Sequence, residues 1–333
     1  LFRTYIFPVY TNSLQKIGAN PIWTDLDVGF APIVWLSFFA IILGSLTIVI
    51  TFASQNVPKL IDLYMDHWQS LLFVWWSAAC LIHALTIKVL AEVGADIVPS
   101  LVFNYHVLLA VSLVIGFPFV FSILRSTKTS NVIENLLQGS YATFKHLTKK
   151  GPTGKISHQE HEKIQYKLFE ELNQLMDLLV YVPYKEPKAQ IIEGIGALLQ
   201  NYVQSKSNFP EYFFKIDQRI YEDISFRTMK NLLGEAEKSH TFYEQKSFRL
   251  IGNVYNIFLE TGEFDLSTLC VEQLVQIGKT AIECDDQELI EVVTVRLNTY
   301  FRFALKHGQH HNEPRNLYNL VFHYGQFLGH LME

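Results

Sequence analysis

Cysteine is scarce in this chain: 333 residues hold three, Cys80, Cys270 and Cys284. They make neither a disulfide framework nor a closely spaced metal-ligand pair, and they suit a reducing compartment. Charge is scarce as well. Asp, Glu, Lys and Arg together make up 18% of the residues, the formal net charge is −5, and no basic block occurs. Nucleic acid is therefore not expected as a partner, because phosphate recognition needs clustered Lys and Arg. There is no Gly-X-Ser-X-Gly elbow, no Cys/His pairing and no carboxylate dyad. Asp285, Asp286 and Glu288 read as an acidic helix start, favourable at the positive end of the helix dipole. The segment Lys149-Lys150-Gly151-Pro152-Thr153-Gly154-Lys155 has glycines too close together for a phosphate loop. Ile156 stands where Ser or Thr is required, so the segment reads as a basic linker. No enzymatic activity is expected. Sustained period-two alternation is missing too, which leaves no expectation of a sheet.

What is present is apolar length. From Val28 to Val57 there is no Asp, Glu, Lys or Arg, and a helix that crosses a bilayer needs about 20 apolar residues. Three spans are expected, at about 30–53, 69–90 and 97–124. The second holds Ser77-Ala78-Ala79-Cys80, small residues that let helices approach closely in lipid. Pro118 in the third is tolerable where neighbours satisfy the freed carbonyl. Lys and Arg follow the third span (Arg125, Lys128, Lys145, Lys149, Lys150, Lys155), whereas Asp25 and Asp27 precede the first. By the positive-inside rule the third span ends in the cytoplasm. Residues 1–27 are then extracytoplasmic, 28–125 form the membrane domain and 126–333 a cytoplasmic domain. The chain starts at Leu1 and stops inside an apolar helical pattern, so an earlier span is expected, making four in all.

Beyond Asn131 the apolar residues recur with helical period. Ser157-His158-Gln159-Glu160 reads as a capping box, opening a helix to about Tyr181. Further helices are expected over 188–205, through Ile224 and Leu232 to Leu259, from an Asp265-Leu266-Ser267 cap to Cys284, and from Asp285-Asp286 to Gly308. A last one starts at Asn312-Glu313-Pro314. The class is all-α: an integral membrane protein with a helical-bundle or solenoid-like soluble part.

Several residues could carry chemistry. His83 and His106 fall at similar depth in neighbouring spans, and ionisable groups in a membrane are functional candidates. A proton relay, a haem or metal site, and plain interhelical hydrogen bonds all fit them. Lys88 sits at a helix end, placed to snorkel or to line a pore. His307, His310, His311 and Glu313 have the composition of a divalent-metal site, although Gly308 is expected to break the helix there and leave a solvated loop. His158 and His161 sit at i, i+3, which a surface capping turn also explains. The aromatics Tyr300, Phe301, Phe303, Tyr318, Phe322, Tyr324 and Phe327 exceed what one helix face needs, and the surplus points to a homo-oligomer or partner interface.

The run from Leu46 to Leu60, with Ala53-Ser54-Gln55, Pro58 and Lys59 and followed by Asp66, is similar to an uncharacterised family of bacterial predicted membrane proteins. That resemblance implies four spans, an Ala-Ser-Gln, Pro-Arg, Leu, Asp pattern after the second, and a helical C-terminal domain. It implies a bacterial inner membrane as the location. Lys59 replaces the usual Arg, and the family's late Leu-Ser-Pro-Gly-Asn-Asp-Pro motif is absent, its nearest counterpart being Ala281 to Asp286. The expected function is an oligomeric pore or polar ion pathway with a cytoplasmic gating or docking domain. A non-conducting scaffold that binds protein partners is the alternative. A haem-binding electron-transfer subunit is a third reading, and otherwise no cofactor is expected.

Overall fold

The computed structural model describes residues 2–16, 27–56, 68–126, 128–222, 233–311 and 314–332. Among the described residues every regular element is helical. The chain divides into two compact units, Leu1–Lys128 and Thr129–Glu333.

In the first unit a π-helical turn, Phe2–Ile6, leads into α1, Phe7–Lys16. Three long apolar elements follow. They are α2, Phe30–Asn56, α3, Trp68–Glu92, and a composite helix. The last consists of α4, Val98–Val102, a π-helical stretch Phe103–Leu109, and α5, Ala110–Ser126. Each contains a segment long and apolar enough to cross a membrane: Phe30–Ile48, Leu72–Glu92 and Val98–Gly116. In hydrocarbon the backbone must bond within its own segment, which is why such runs are helical despite their Ile and Val content. Helix α2 packs mainly on α3, and both touch α5. Ser77, Cys80 and Ala84 recur at i, i+3 and i+7 on α3 and are buried. Their small side chains let Ala31 and Trp35 of α2, with Ile87 and Leu101, close into one core.

The second unit is a two-row stack. One row holds α6 (Thr129–Lys150), α8 (Lys185–Lys206), α12 (Phe264–Glu283) and α14 (Arg315–Met332). The other holds α7 (His158–Tyr181), α11 (Phe242–Thr261) and α13 (Gln287–His311). Helices pack on their hairpin partners and on the next helix of their own row, α6 on α8, α8 on α12 and α12 on α14. This is the contact pattern of a helical solenoid, in which each repeat buries its apolar face on its neighbours. Between α8 and α11 runs a long connection with a 3₁₀ turn, Glu211–Phe214, and the short helices α9, Gln218–Tyr221, and α10, Leu233–Lys238. Its Phe209, Phe213 and Phe214 are buried. They pack among Phe144, Tyr202, Phe242 and Tyr243.

Ser157 caps α7, its hydroxyl accepting from the Glu160 amide at 3.2 Å. The Glu160 carboxylate does not complete the box; it takes Lys150 and His146 instead. Three expectations are corrected. The helix through Leu232 to Leu259 is interrupted at Ser239–Thr241, where His240 adopts φ +54° and Thr241 N donates to Ala236 O. Asp265 is not a cap: α12 starts at Phe264, straight after Gly262 turns the chain at φ +72°, and the Leu266 and Ser267 amides bond to Glu263 O. Nor does Gly308 end α13, which runs to His311. One helical glycine costs about 1 kcal/mol; beside it the His307 ring is buried near Phe264 and stacks on His311.

Helices approach closely at Gly278, where an added Cβ would lie 2.6 Å from the Phe327 ring of α14 and 3.0 Å from Val293 of α13. Both neighbours are fully buried, so neither can yield cheaply. Gly278→Ala is expected to destabilise this unit by about 1–3 kcal/mol. The check is the temperature at which buried Cys270 becomes reactive to a maleimide in a background with Cys80→Ser and Cys284→Ser.

Candidate functional site

Inside the spans the structure builds one polar knot. The Trp35 indole Nε1 donates to Asn104 Oδ1 at 2.6 Å, and Asn104 Nδ2 lies 3.0 Å from His83 Nδ1. Asn104 is wholly buried, and His83 is partly buried. The roles follow from chemistry. An indole only donates, so the Asn104 oxygen must face Trp35 and its NH₂ must face His83. His83 Nδ1 therefore accepts, and a proton placed there would meet an N–H donor. The π-helical stretch presents Asn104, and π-bulges recur at functional positions because they re-aim side chains.

His106, two residues on, is exposed, and its Nδ1 lies 2.6 Å from the Tyr10 hydroxyl. The two histidines expected to act together thus engage different partners, and it is Asn104 that the fold sets beside His83. Nearby, Tyr105 OH donates to the Asp27 carbonyl, and Trp76 Nε1 donates to buried Ser112. Lys88 is exposed near the end of α3. Sequence reading weighed only ionisable groups and so passed over Asn104. The available signal was one asparagine in the apolar run from Val98 to Ser126.

A second feature lies on the outer face of α2. Ser37, Ala40, Gly44, Thr47 and Thr51 recur at i, i+3, i+7, i+10 and i+14 and are all exposed. The hydroxyls of Ser37, Thr47 and Thr51 donate to carbonyls four residues earlier at 2.8–2.9 Å. They are satisfied in an apolar medium yet still offer lone pairs outward. An added Cβ at Gly44 would meet nothing within 4 Å. Of the loop that carries the family resemblance, Ser54 and Gln55 fall in the last turn of α2; Pro58, Lys59 and Asp66 lie outside the described residues.

In the second unit Lys206, Glu244 and Asp286 form a charged triad, largely withdrawn from solvent. Lys206 Nζ lies 2.9 Å from Glu244 Oε1 and 2.7 Å from Asp286 Oδ2. Burial alone would lower the Lys206 ammonium, but the two carboxylates outweigh it and hold its pKa above the ordinary value. Burial pushes the Glu244 carboxyl up, against the pull of Lys206. Asp286 also caps α13 by accepting from Leu289 N. The histidine-rich end of α13 is spread out: His307 is buried, His310 and His311 are exposed, and Glu313 lies outside the described residues. An open groove of about 530 Å³ between α6 and α7 is lined by His146, Glu160, Lys163 and Lys167 among others.

Of the aromatics expected at an interface, Tyr300 and Phe327 are core, whereas Tyr318, Phe322 and Phe303 are exposed. Tyr318, Val321, Phe322, Leu328 and Met332 give the last helix of the stack a second, exposed apolar face. Comparison with protein-family models, with curated proteins and with solved structures returns no match.

Proposed function

We propose that the chain is an oligomeric protein of a bacterial plasma membrane, in which copies of α2 line a polar ion pathway and residues 129–333 form a cytoplasmic docking or gating unit. The observation that carries this reading is the exposed Ser37, Gly44, Thr47 and Thr51 stripe on an otherwise apolar helix. Small residues at heptad spacing suit close helix association in lipid, where packing and weak hydrogen bonds replace the hydrophobic drive. Their hydroxyl oxygens are also the kind of ligand that partly replaces an ion's water. Within one subunit Trp35, Asn104 and His83 bond to one another, which leaves the exposed stripe of α2 for contact between copies.

The test is ion flux into liposomes that carry the purified full chain. Gly44→Leu, which fills the stripe, should reduce flux at least tenfold while the protein still inserts. Flux unchanged by Gly44→Leu, or no flux at all, would overturn the pathway.

A non-conducting scaffold is the second reading, and the exposed apolar face of α14 favours it. Terminal elements of a helical stack need a polar outer face or a cover. Under this reading Tyr318→Arg and Phe322→Glu should abolish the assembly seen by native mass spectrometry, with no conductance in any variant.

A further inference from the structure

Where the long connection between α8 and α11 meets the first turns of α7, three metal-ligand side chains converge. His158, His161 and Asp217 each offer a ligand atom, and these atoms all lie within 4.8 Å of one another. Among the described residues this is the one group of three or more such side chains that does so. His158 and His161 occupy adjacent turns of one face of α7, and Asp217 is the N-cap of α9.

The histidine at the centre is unusual. His161 is only 2% exposed, and neither ring nitrogen has a hydrogen-bond partner. A buried imidazole without partners is costly, since its polar atoms lose water and gain nothing. The carbonyls that face it, of Phe213 and Lys215, are both taken by Gln165 Nε2 at 2.7 Å. Gln165 Oε1 in turn accepts from the Asp217 amide. This carboxamide lies one turn beyond His161 and pins residues 213–217 to α7, which aims the Asp217 carboxylate at the histidines. One oxygen of Asp217 caps the Arg219 amide at 3.0 Å. The Arg219 guanidinium pairs with Glu162 instead, so it does not neutralise Asp217. Tyr212 packs its ring on His161 at 4.8 Å and shields one side.

We propose that His158, His161 and Asp217 bind a divalent transition-metal ion of the zinc class, which staples the α8–α11 connection to α7. Two imidazoles and one carboxylate form a three-ligand set that leaves a position open to solvent. A tetrahedral ion with bonds of about 2.0–2.1 Å needs ligand atoms about 3.4 Å apart. Binding therefore draws the three ligand atoms together from within 4.8 Å of one another. The Gln165 clamp holds in place the backbone that carries Asp217.

The experiment titrates the full chain in detergent, stripped with EDTA, with zinc sulfate, and measures bound metal by elemental analysis after desalting. One zinc per chain is expected, with the visible absorption of bound cobalt as a second readout. His158→Ala, which changes an exposed side chain and spares the fold, should weaken binding at least tenfold, and Asp217→Asn, which keeps the cap on Arg219, should do the same. His311→Ala and Cys284→Ser should leave it unchanged. No zinc above the blank, or equal zinc in wild type and His158→Ala, would overturn the site. So would loss of the metal in His311→Ala, which would move it to the end of α13.

Discussion

Replacing Lys206 with methionine is expected to lower the unfolding midpoint of residues 129–333 by about 10 °C. Lys206 is the cation between two carboxylates, and the Glu244 side chain has no solvent exposure. Removing one partner of a buried ion pair leaves uncompensated charge and costs about 3–5 kcal/mol. For a unit of this size each kcal/mol moves the midpoint by roughly 2–4 °C. Cys270 reports it directly: it is fully buried within α12, and with Cys80 and Cys284 both changed to Ser its reaction with a maleimide marks opening of this unit. In a Glu244→Gln background the penalty should fall to about half, because only Asp286 is then left unpaired. Equal penalties in both backgrounds would contradict the triad.

The pH dependence has a definite sign. The Lys206 pKa is raised above its ordinary value of 10.5, so its contribution is complete below that pH and disappears only as pH rises through the higher folded value. Glu244 acts in the other direction. Its carboxyl is raised by burial, so acid neutralises it readily in the fold. The Lys206→Met penalty should therefore shrink as pH falls and Glu244 takes up a proton.

Trp35→Ala is expected to do comparable damage among the spans. Trp35 is 1% exposed at the centre of the apolar core and donates to Asn104. Truncating a buried tryptophan costs about 3–5 kcal/mol, and here it also orphans the Asn104 oxygen. Trp35→Phe retains most of the ring and loses only the N–H. Hydrogen bonds between helices in lipid contribute about 0.5–2 kcal/mol, so this variant should lie much closer to wild type. Cys80 belongs to the same core cluster, and with Cys270 and Cys284 changed to Ser its maleimide reactivity during heating reads the difference. Identical midpoints for the two variants would mean that packing around the indole contributes nothing.

The helical class and the three apolar segments could be read from the sequence because both rest on local signals. An uncharged run from Val28 to Val57 is visible at once, and Ser157 before Glu160 marks a helix start. Gly262 and Asp286 likewise act within one turn of their own positions. What could not be read depends on long-range contacts. The break at His240 follows from a left-handed turn that no Gly or Pro announces. Continuation of α13 past Gly308 depends on Phe264, far away in sequence. Asp217 meets His158 and His161 only because Gln165 clamps a distant segment, so the spacing of the two histidines alone resembled a surface turn. The π-helical stretch that presents Asn104 has no sequence signal that we recognise. The Ser37 to Thr51 stripe, by contrast, has heptad spacing and was open to a direct reading.

The most direct test of the central claim is a single-particle structure of the full chain in lipid nanodiscs. The account predicts a closed ring of identical subunits, with Ser37, Gly44, Thr47 and Thr51 of each copy facing a continuous axial cavity. A monomer, or an assembly in which that face of α2 meets lipid, would contradict it.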